Sequence, residues 1–241
     1  MPAPKDDVDA FAADAAANRG YLYTTNARLS SELANQRLTD SILAVAEFRG
    51  KRVLDMGCGD GTYTLELAEV AGVALMHGID PAEEAVKVAA AKPAAGAAPV
   101  QFAVSSAYTL PYRDDAFDVA VLRGVLHHMG QPVEAIREGL RVAPTLVVVE
   151  PNGYNPALKV LERCSSYHVE HGEKSYRPKL LDRWVADVGG TVEERRWAGF
   201  VPMFCPDWMA KATKLVEPVV EAVPVVRHVG CAVYVFRAGR R

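Results

Sequence analysis

Three glycines at alternate positions follow an apolar run in Val53-Leu54-Asp55-Met56-Gly57-Cys58-Gly59-Asp60-Gly61-Thr62. Glycine is required where φ is positive or where a ligand must touch the backbone. The apolar run reads as a strand and Thr62 onward as a helix, so the bend presents N–H groups at a helix N-terminus. Nineteen residues after Gly61 a second strand ends in Gly78-Ile79-Asp80. An acid at that place can accept hydrogen bonds from ribose hydroxyls. Two nucleotide readings compete. A dinucleotide fold uses GxGxxG and seats a pyrophosphate on the helix dipole. The spacing here is GxGxG, with acids at Asp55 and Asp60. Carboxylates repel a pyrophosphate and suit a ligand with a cationic amino group and a sulfonium, which favours S-adenosylmethionine over NAD.

Proton transfer has few candidates. His127 and His128 follow the fourth expected strand, and Tyr167-His168-Val169-Glu170-His171 follows the fifth. His168 and His171 with Glu170 could form a base relay or a metal site. The group lacks a clear third ligand, so a solvated polar loop is preferred and no metal is expected. At least one residue of the His127-His128 pair is expected to be structural. A base is needed only where the nucleophile must lose a proton. His168 and His171 are the first candidates, and His127 is the third.

These residues need a frame that brings strand ends together. Short apolar runs alternate with helical patterns from Arg52 onward. Strands are expected at Arg52–Met56, Ala74–Ile79, Val100–Ser105, Phe117–Leu122 and Thr145–Val149. Helices are expected at Thr62–Ala71, Pro81–Ala91 and Val133–Val142, with Pro at the first turn of the second. The alternation predicts an α/β fold with a parallel sheet covered on both faces. Pro178–Asp187 reads as a further helix, Thr191–Trp197 as an edge strand and Val229–Arg237 as a final strand. Residues 1–48 read as two helices joined by 20–26, too short for a core of their own.

The glycine segment resembles motif I of class I S-adenosylmethionine-dependent methyltransferases of the small-molecule type. Leu110-Pro111-Tyr112 and Asp115-Ala116-Phe117-Asp118-Val119 resemble that family's linker into strand four. Arg123-Gly124-Val125-Leu126-His127-His128-Met129 resembles its strand-four exit, where cofactor and acceptor meet. The likeness covers about residues 50 to 152. It implies a doubly wound, Rossmann-like seven-stranded sheet of order 3-2-1-4-5-7-6 whose last strand is antiparallel. It also implies roles. Gly57, Gly59 and Gly61, with Cys58 among them, line the methionine part of the cofactor, and Asp55 orients the loop. Asp80, with Pro81 behind it, holds the ribose. Ser106-Ala107 stands where such families often carry Asp-Ala against the adenine, so Ser106 is a shorter, neutral acceptor. Arg123 belongs to the cofactor side, and Tyr21 closes over the cofactor as similar segments do.

The implied activity is methyl transfer to a small-molecule acceptor, with a hydroxyl oxygen preferred. Carbon or nitrogen methylation of a small metabolite, tRNA or protein methylation, and a non-catalytic cofactor-binding module are the alternatives. Base-methylating N-methyltransferases carry Asn/Asp-Pro-Pro-Tyr where this chain has Leu122-Arg123-Gly124. The net charge of -3 and the dispersed Lys and Arg argue against a nucleic-acid partner. No run of about 18 uncharged apolar residues suggests a membrane span. Cys58, Cys164, Cys205 and Cys231 form no CxxC pair and read as reduced thiols of a cytoplasmic protein. The division expected is a helical cap at 1–48 and a methyltransferase domain at 49–241, with 152–177 and 200–227 inserted on the acceptor side. Pro and Gly-Tyr-Asn-Pro make 150–156 a turn. Val201–Val226, which Pro202, Pro206, Pro218 and Pro224 should break into short pieces, reads as a lid over a partly apolar acceptor, a homo-oligomer contact, or core.

Overall fold

The computed structural model describes residues 20, 21, 24, 28–94, 96, 98–164 and 174–240. Seven strands form one sheet: β1 (Arg52–Met56), β2 (Leu75–Asp80), β3 (Val100–Val104), β4 (Val119–Arg123), β5 (Thr145–Pro151), β6 (Gly190–Ala198) and β7 (Val233–Arg240). Their order is β3-β2-β1-β4-β5-β7-β6. β7 runs antiparallel to β5 and β6, and the pairs among β1 to β5 are parallel. The helices are α1 (Leu29–Leu43), α2 (Thr62–Ala71), α3 (Glu83–Ala91), α4 (Pro132–Val142), α5 (Pro156–Cys164), α6 (Pro178–Asp187), α7 (Asp207–Ala222) and α8 (Pro224–Gly230).

Strand residues alternate between two cores, as a period of two requires. Leu54, Met56, Leu122, Leu146, Val148 and Phe236 pack against Ile136 and Leu140 of α4 and Leu181 and Val185 of α6. Val53, Val121, Val147, Val149 and Val235 pack against Ile42 of α1, Leu67 and Ala68 of α2, and Phe48. Strands buried on both faces read as near-continuous apolar runs, which Thr145–Val149 does. The same parity decides where the functional side chains go. Asp55 and Arg123 fall on the α1/α2 face, whereas Glu150 falls on the α4/α6 face. The strand order reverses between β1 and β4, and the carboxyl ends of the strands beside that reversal form the natural ligand crevice of such a sheet.

Three expectations need correction. The final strand begins at Val233, not Val229, because Val229 and Gly230 close α8. Apolar runs alone do not separate strand from buried helix. Pro224 stands at the first turn of α8, where a missing N–H is harmless. The stretch 201–226 is not broken into short pieces. Pro206 is the residue before α7, and Pro218 sits inside that 16-residue helix, exposed, forfeiting one hydrogen bond without ending it. The insertion after β5 carries a helix, α5, that the turn reading had not included. Asn155 starts it by accepting the Ala157 N–H at 2.9 Å, as an N-cap before proline does. Residues 153–154 do turn. Of the two helices expected in 1–48, α1 is seen, and the first lies outside the described residues.

Among the described residues no helix is long and apolar enough to cross a membrane.

Candidate active site

The bend after β1 uses left-handed backbone three times, at Gly57 (φ 84°), Gly59 (φ 52°) and Gly61 (φ 74°). All three also permit close approach, Gly61 to Ala89 of α3 and Phe102 of β3. A Cβ at Gly57 would lie 2.7 Å from the Val125 methyls, and one at Gly59 would overlap the Tyr21 ring. The glycines therefore join three segments: the β1 loop, the exit of β4 and the N-terminal strap.

Five N–H groups of this bend are already engaged. Gly57 and Cys58 donate to the Ile79 carbonyl at 2.7 and 2.9 Å, and Gly61 donates to the Cys58 carbonyl at 3.0 Å. Gly59 donates to Asp80 Oδ2 at 2.9 Å and Thr62 to Asp60 Oδ1 at 3.1 Å. A pyrophosphate needs such N–H groups for itself.

Three buried carboxylates surround the bend. Asp80 accepts one N–H on each oxygen, from Gly59 and from Ala82 at 2.8 Å. That fixes its plane and leaves lone pairs for hydroxyl donors. Burial raises its pKa, with the two N–H groups opposing the rise. Asp60 clamps the strap: its Oδ2 accepts the Tyr21 N–H at 3.1 Å and the Thr24 hydroxyl, and it pairs with Lys92 at 3.1 Å. Burial pushes its pKa up, but the Thr24 hydroxyl, the Thr62 N–H and Lys92 outweigh that and leave it lowered. Asp55 accepts the Thr64 hydroxyl at 2.6 Å. Its pKa stands at about 6. Burial is the main cause and Asp80 adds to it, whereas the Thr64 hydrogen bond and Arg123 oppose it. Burial, with Asp55 and Asp80 adding, also raises the Cys58 thiol well above its ordinary range, so Cys58 contributes shape and not a nucleophile.

Arg123 turns toward α1. Its guanidinium donates to the Thr39 hydroxyl at 2.8 Å and the Asn35 carbonyl at 3.1 Å, and lies 3.9 Å from the Tyr63 ring centroid. It ties the helix before the sheet to the end of β4. Ser106 is exposed and accepts the Tyr108 N–H at 3.2 Å; Ala107 is buried beneath it, and Pro81 is exposed beyond Asp80.

His127 sits buried in a single 3-10 turn, Leu126–His128. Its Nδ1 lies 2.7 Å from Glu150 Oε2. The other oxygen of Glu150 accepts the N–H groups of Val125 (2.9 Å) and Leu126 (2.8 Å). One fully buried carboxylate thus holds the β4 exit and the imidazole together. The sequence reading missed Glu150. A carboxylate directly after a strand buried on both faces must be partnered, and that signal was present. The His127 and His128 ring centroids are 3.9 Å apart. His168 and His171 lie outside the described residues. Among those described, no group of three His, Cys, Asp or Glu is arranged to hold a metal ion.

A family described as "Methyltransferase domain" matches residues 47–186. The 27-O-demethylrifamycin SV methyltransferase of Amycolatopsis mediterranei (strain S699) is 36% identical over 128 residues, 52% of this chain and 46% of that protein. A ubiquinone biosynthesis O-methyltransferase of Paraburkholderia phymatum is 30% identical over 156 residues, 64% of each chain. The matched stretch thus spans less than half the length of the first relative and under two thirds of the second. Among solved structures, magnesium protoporphyrin IX methyltransferase from Synechocystis PCC 6803 with bound S-adenosylmethionine aligns over the whole of both chains (TM-score 0.62, 16% identity). The [4+2]-cyclase SpnF aligns over 97% of this chain and 93% of its own (TM-score 0.66, 22% identity). At these identities the structural likeness shows the fold.

Proposed function

The chain belongs to the methyltransferase-domain family, and from that premise we propose that it moves the methyl group of S-adenosylmethionine to the hydroxyl oxygen of a small-molecule acceptor. The observation that carries the cofactor half is the bend itself. Five of its N–H groups already donate within the protein, and three carboxylates crowd it, which suits a cation with ribose hydroxyls and disfavours a diphosphate. Asp80 would take the ribose, Gly57 and Gly59 would line the amino-acid part, and Asp55 would supply negative charge toward the ammonium. When bound, S-adenosylmethionine supplies a methyl group on a positively charged sulfur that leaves with the bonding electron pair.

The acceptor half rests on His127. With Glu150 accepting at Nδ1, the neutral ring carries its proton there and its lone pair on Nε2. That tautomer can take the proton of a hydroxyl as the O–C bond forms, and Glu150 offsets the resulting imidazolium charge. An amine that arrives neutral needs no such base before attack, so the pair favours oxygen. The Amycolatopsis mediterranei relative is named for a small molecule, 27-O-demethylrifamycin SV, and its name and that of the Paraburkholderia phymatum relative both specify oxygen, which supports the reading.

The test is a His127→Ala variant assayed for S-adenosylhomocysteine release over a panel of phenols, aliphatic alcohols and amines. Wild type is expected to turn over hydroxyl acceptors. The variant should lose about 10²-fold in kcat, the usual contribution of a positioned base, with unchanged affinity for S-adenosylhomocysteine. Equal turnover in the two proteins would remove His127 from the chemistry.

A further inference from the structure

Helix α7 is inverted relative to an ordinary surface helix, which buries its apolar stripe and shows its charges to water. Its buried residues are Ala210 and Glu217. Glu217 accepts the Phe200 N–H at 2.9 Å and binds Lys214 at 2.6 Å; Glu221 accepts the Gly199 N–H at 3.0 Å and pairs with Arg37 of α1. The large apolar side chains face outward instead: Trp208 is 72% exposed, Leu215 82% and Val219 64%. Trp208, Ala212, Leu215, Val219 and Ala222 are all exposed and recur at intervals of four, three, four and three. That is the seam spacing with which one helix packs along another. Exposed Val225, Val226 and Val229 carry the patch onto α8. Monomers seldom leave one apolar patch larger than a few hundred Å².

We propose that this face is the interface of a homodimer in which α7 packs antiparallel on the same helix of a second copy, about a two-fold axis near Leu215. Size complementarity argues for that occupant. An antiparallel pairing sets Trp208 opposite Ala222 of the partner subunit, and Ala212 beside Pro218 and Val219 of the partner subunit, large against small at both ends. Charge argues the same way. The exposed charges of α7, Asp207 and Lys211, both lie in its first half, and the exposed residues of its second half, Leu215, Val216, Pro218, Val219 and Ala222, are uncharged. Antiparallel packing places the charges of each copy over the uncharged half of the other, where lysine stems can lie along apolar surface. Parallel packing would set Lys211 on its own copy. Exposed Glu32 and Asp40 on the adjoining α1 make an anionic bilayer a poorer fit. With 16 residues α7 is about 24 Å long. The exposed α8 valines lengthen that apolar face beyond the end of α7.

Sedimentation equilibrium on the full chain at micromolar concentration tests this, and it is independent of the cofactor reading. Wild type should run as a dimer. Leu215→Glu, and separately Val219→Lys in case the first misfolds, should run as monomers with native circular dichroism and unchanged heat of S-adenosylhomocysteine binding. In a Cys164→Ser background, Leu215→Cys should form a disulfide-linked dimer on oxidation, since its residue lies by the axis. A monomeric wild type overturns the proposal, whether or not it co-sediments with phosphatidylcholine–phosphatidylglycerol vesicles. So does a dimer that both charged variants leave intact. Efficient oxidative cross-linking of Trp208→Cys would replace the antiparallel arrangement with a parallel one.

Discussion

Relative to an Asp55→Asn variant, the wild-type fold is expected to lose about 2 kcal/mol as pH rises from 4 to 7. The same variant should bind S-adenosylhomocysteine ten- to a hundred-fold more weakly at pH 7.5, since a hydrogen bond to a charged group contributes about 1.5–3 kcal/mol. The cause is one buried carboxyl whose folded pKa stands at about 6 against an ordinary 3.8. Below pH 3.8 folded and unfolded chains both hold the proton. Between 3.8 and 6 only the folded chain keeps it, so the contribution to stability shrinks as pH rises. Above 6 the fold carries a desolvated charge. Titrating urea unfolding of both proteins between pH 4 and 7 reads the difference due to Asp55 together with its coupling to Asp80; parallel curves would refute the assignment. A cationic ligand repairs the deficit by giving the charge a partner. Cofactor affinity of wild type should therefore weaken as pH falls through about 6, and that of the variant should not. The position is thus expected to trade stability of the empty protein for binding.

Glu150→Ala should be the most damaging single change outside the apolar core, at about 3–5 kcal/mol, since each buried donor left unsatisfied costs about 1–3 kcal/mol. It orphans two backbone donors and the His127 ring at once, and all three belong to the turn that packs on Gly57 through Val125. Chemical denaturation measures that cost; a loss under 1 kcal/mol would mean the site relaxes around the missing acid. Glu150→Gln separates structure from chemistry. Its carbonyl can still accept from Val125 and Leu126, so the fold should survive with a smaller loss. Its amide N–H₂ now faces Nδ1, which drives the ring to carry its proton on Nε2. Turnover should then fall as far as in His127→Ala, and the histidine limb of the pH–rate profile should disappear. Full activity in this variant would make Glu150 purely architectural.

The parts of the site that were legible in the sequence are those fixed by local backbone needs. Gly57, Gly59 and Gly61 announce a bend because only glycine takes left-handed backbone cheaply, and Asp80 marks a strand end by following an apolar run. The β/α alternation is equally local, and most strand and helix bounds fall within two residues of expectation. What stayed hidden depends on partners distant in the chain. Glu150 meets His127 only because β5 lies beside β4. Arg123 sits at the strand-four exit, yet its guanidinium points to α1, which no spacing within the motif announces. Helix α7 misled because its prolines read as breaks, although one precedes the helix and the other sits inside it at an exposed position. Its apolar residues also suggested several roles until their exposure was known. The departure at Ser106, by contrast, was visible from the start, and the structure places that residue at the open end of β3 with its hydroxyl turned to the Tyr108 N–H.

Titration calorimetry of the full chain at pH 7.5 with S-adenosylhomocysteine, and separately with NAD, addresses the central claim most directly. Saturable one-to-one heat with the thioether nucleoside and none with the dinucleotide is the predicted result. Saturable uptake of NAD with silence toward S-adenosylhomocysteine would contradict the account.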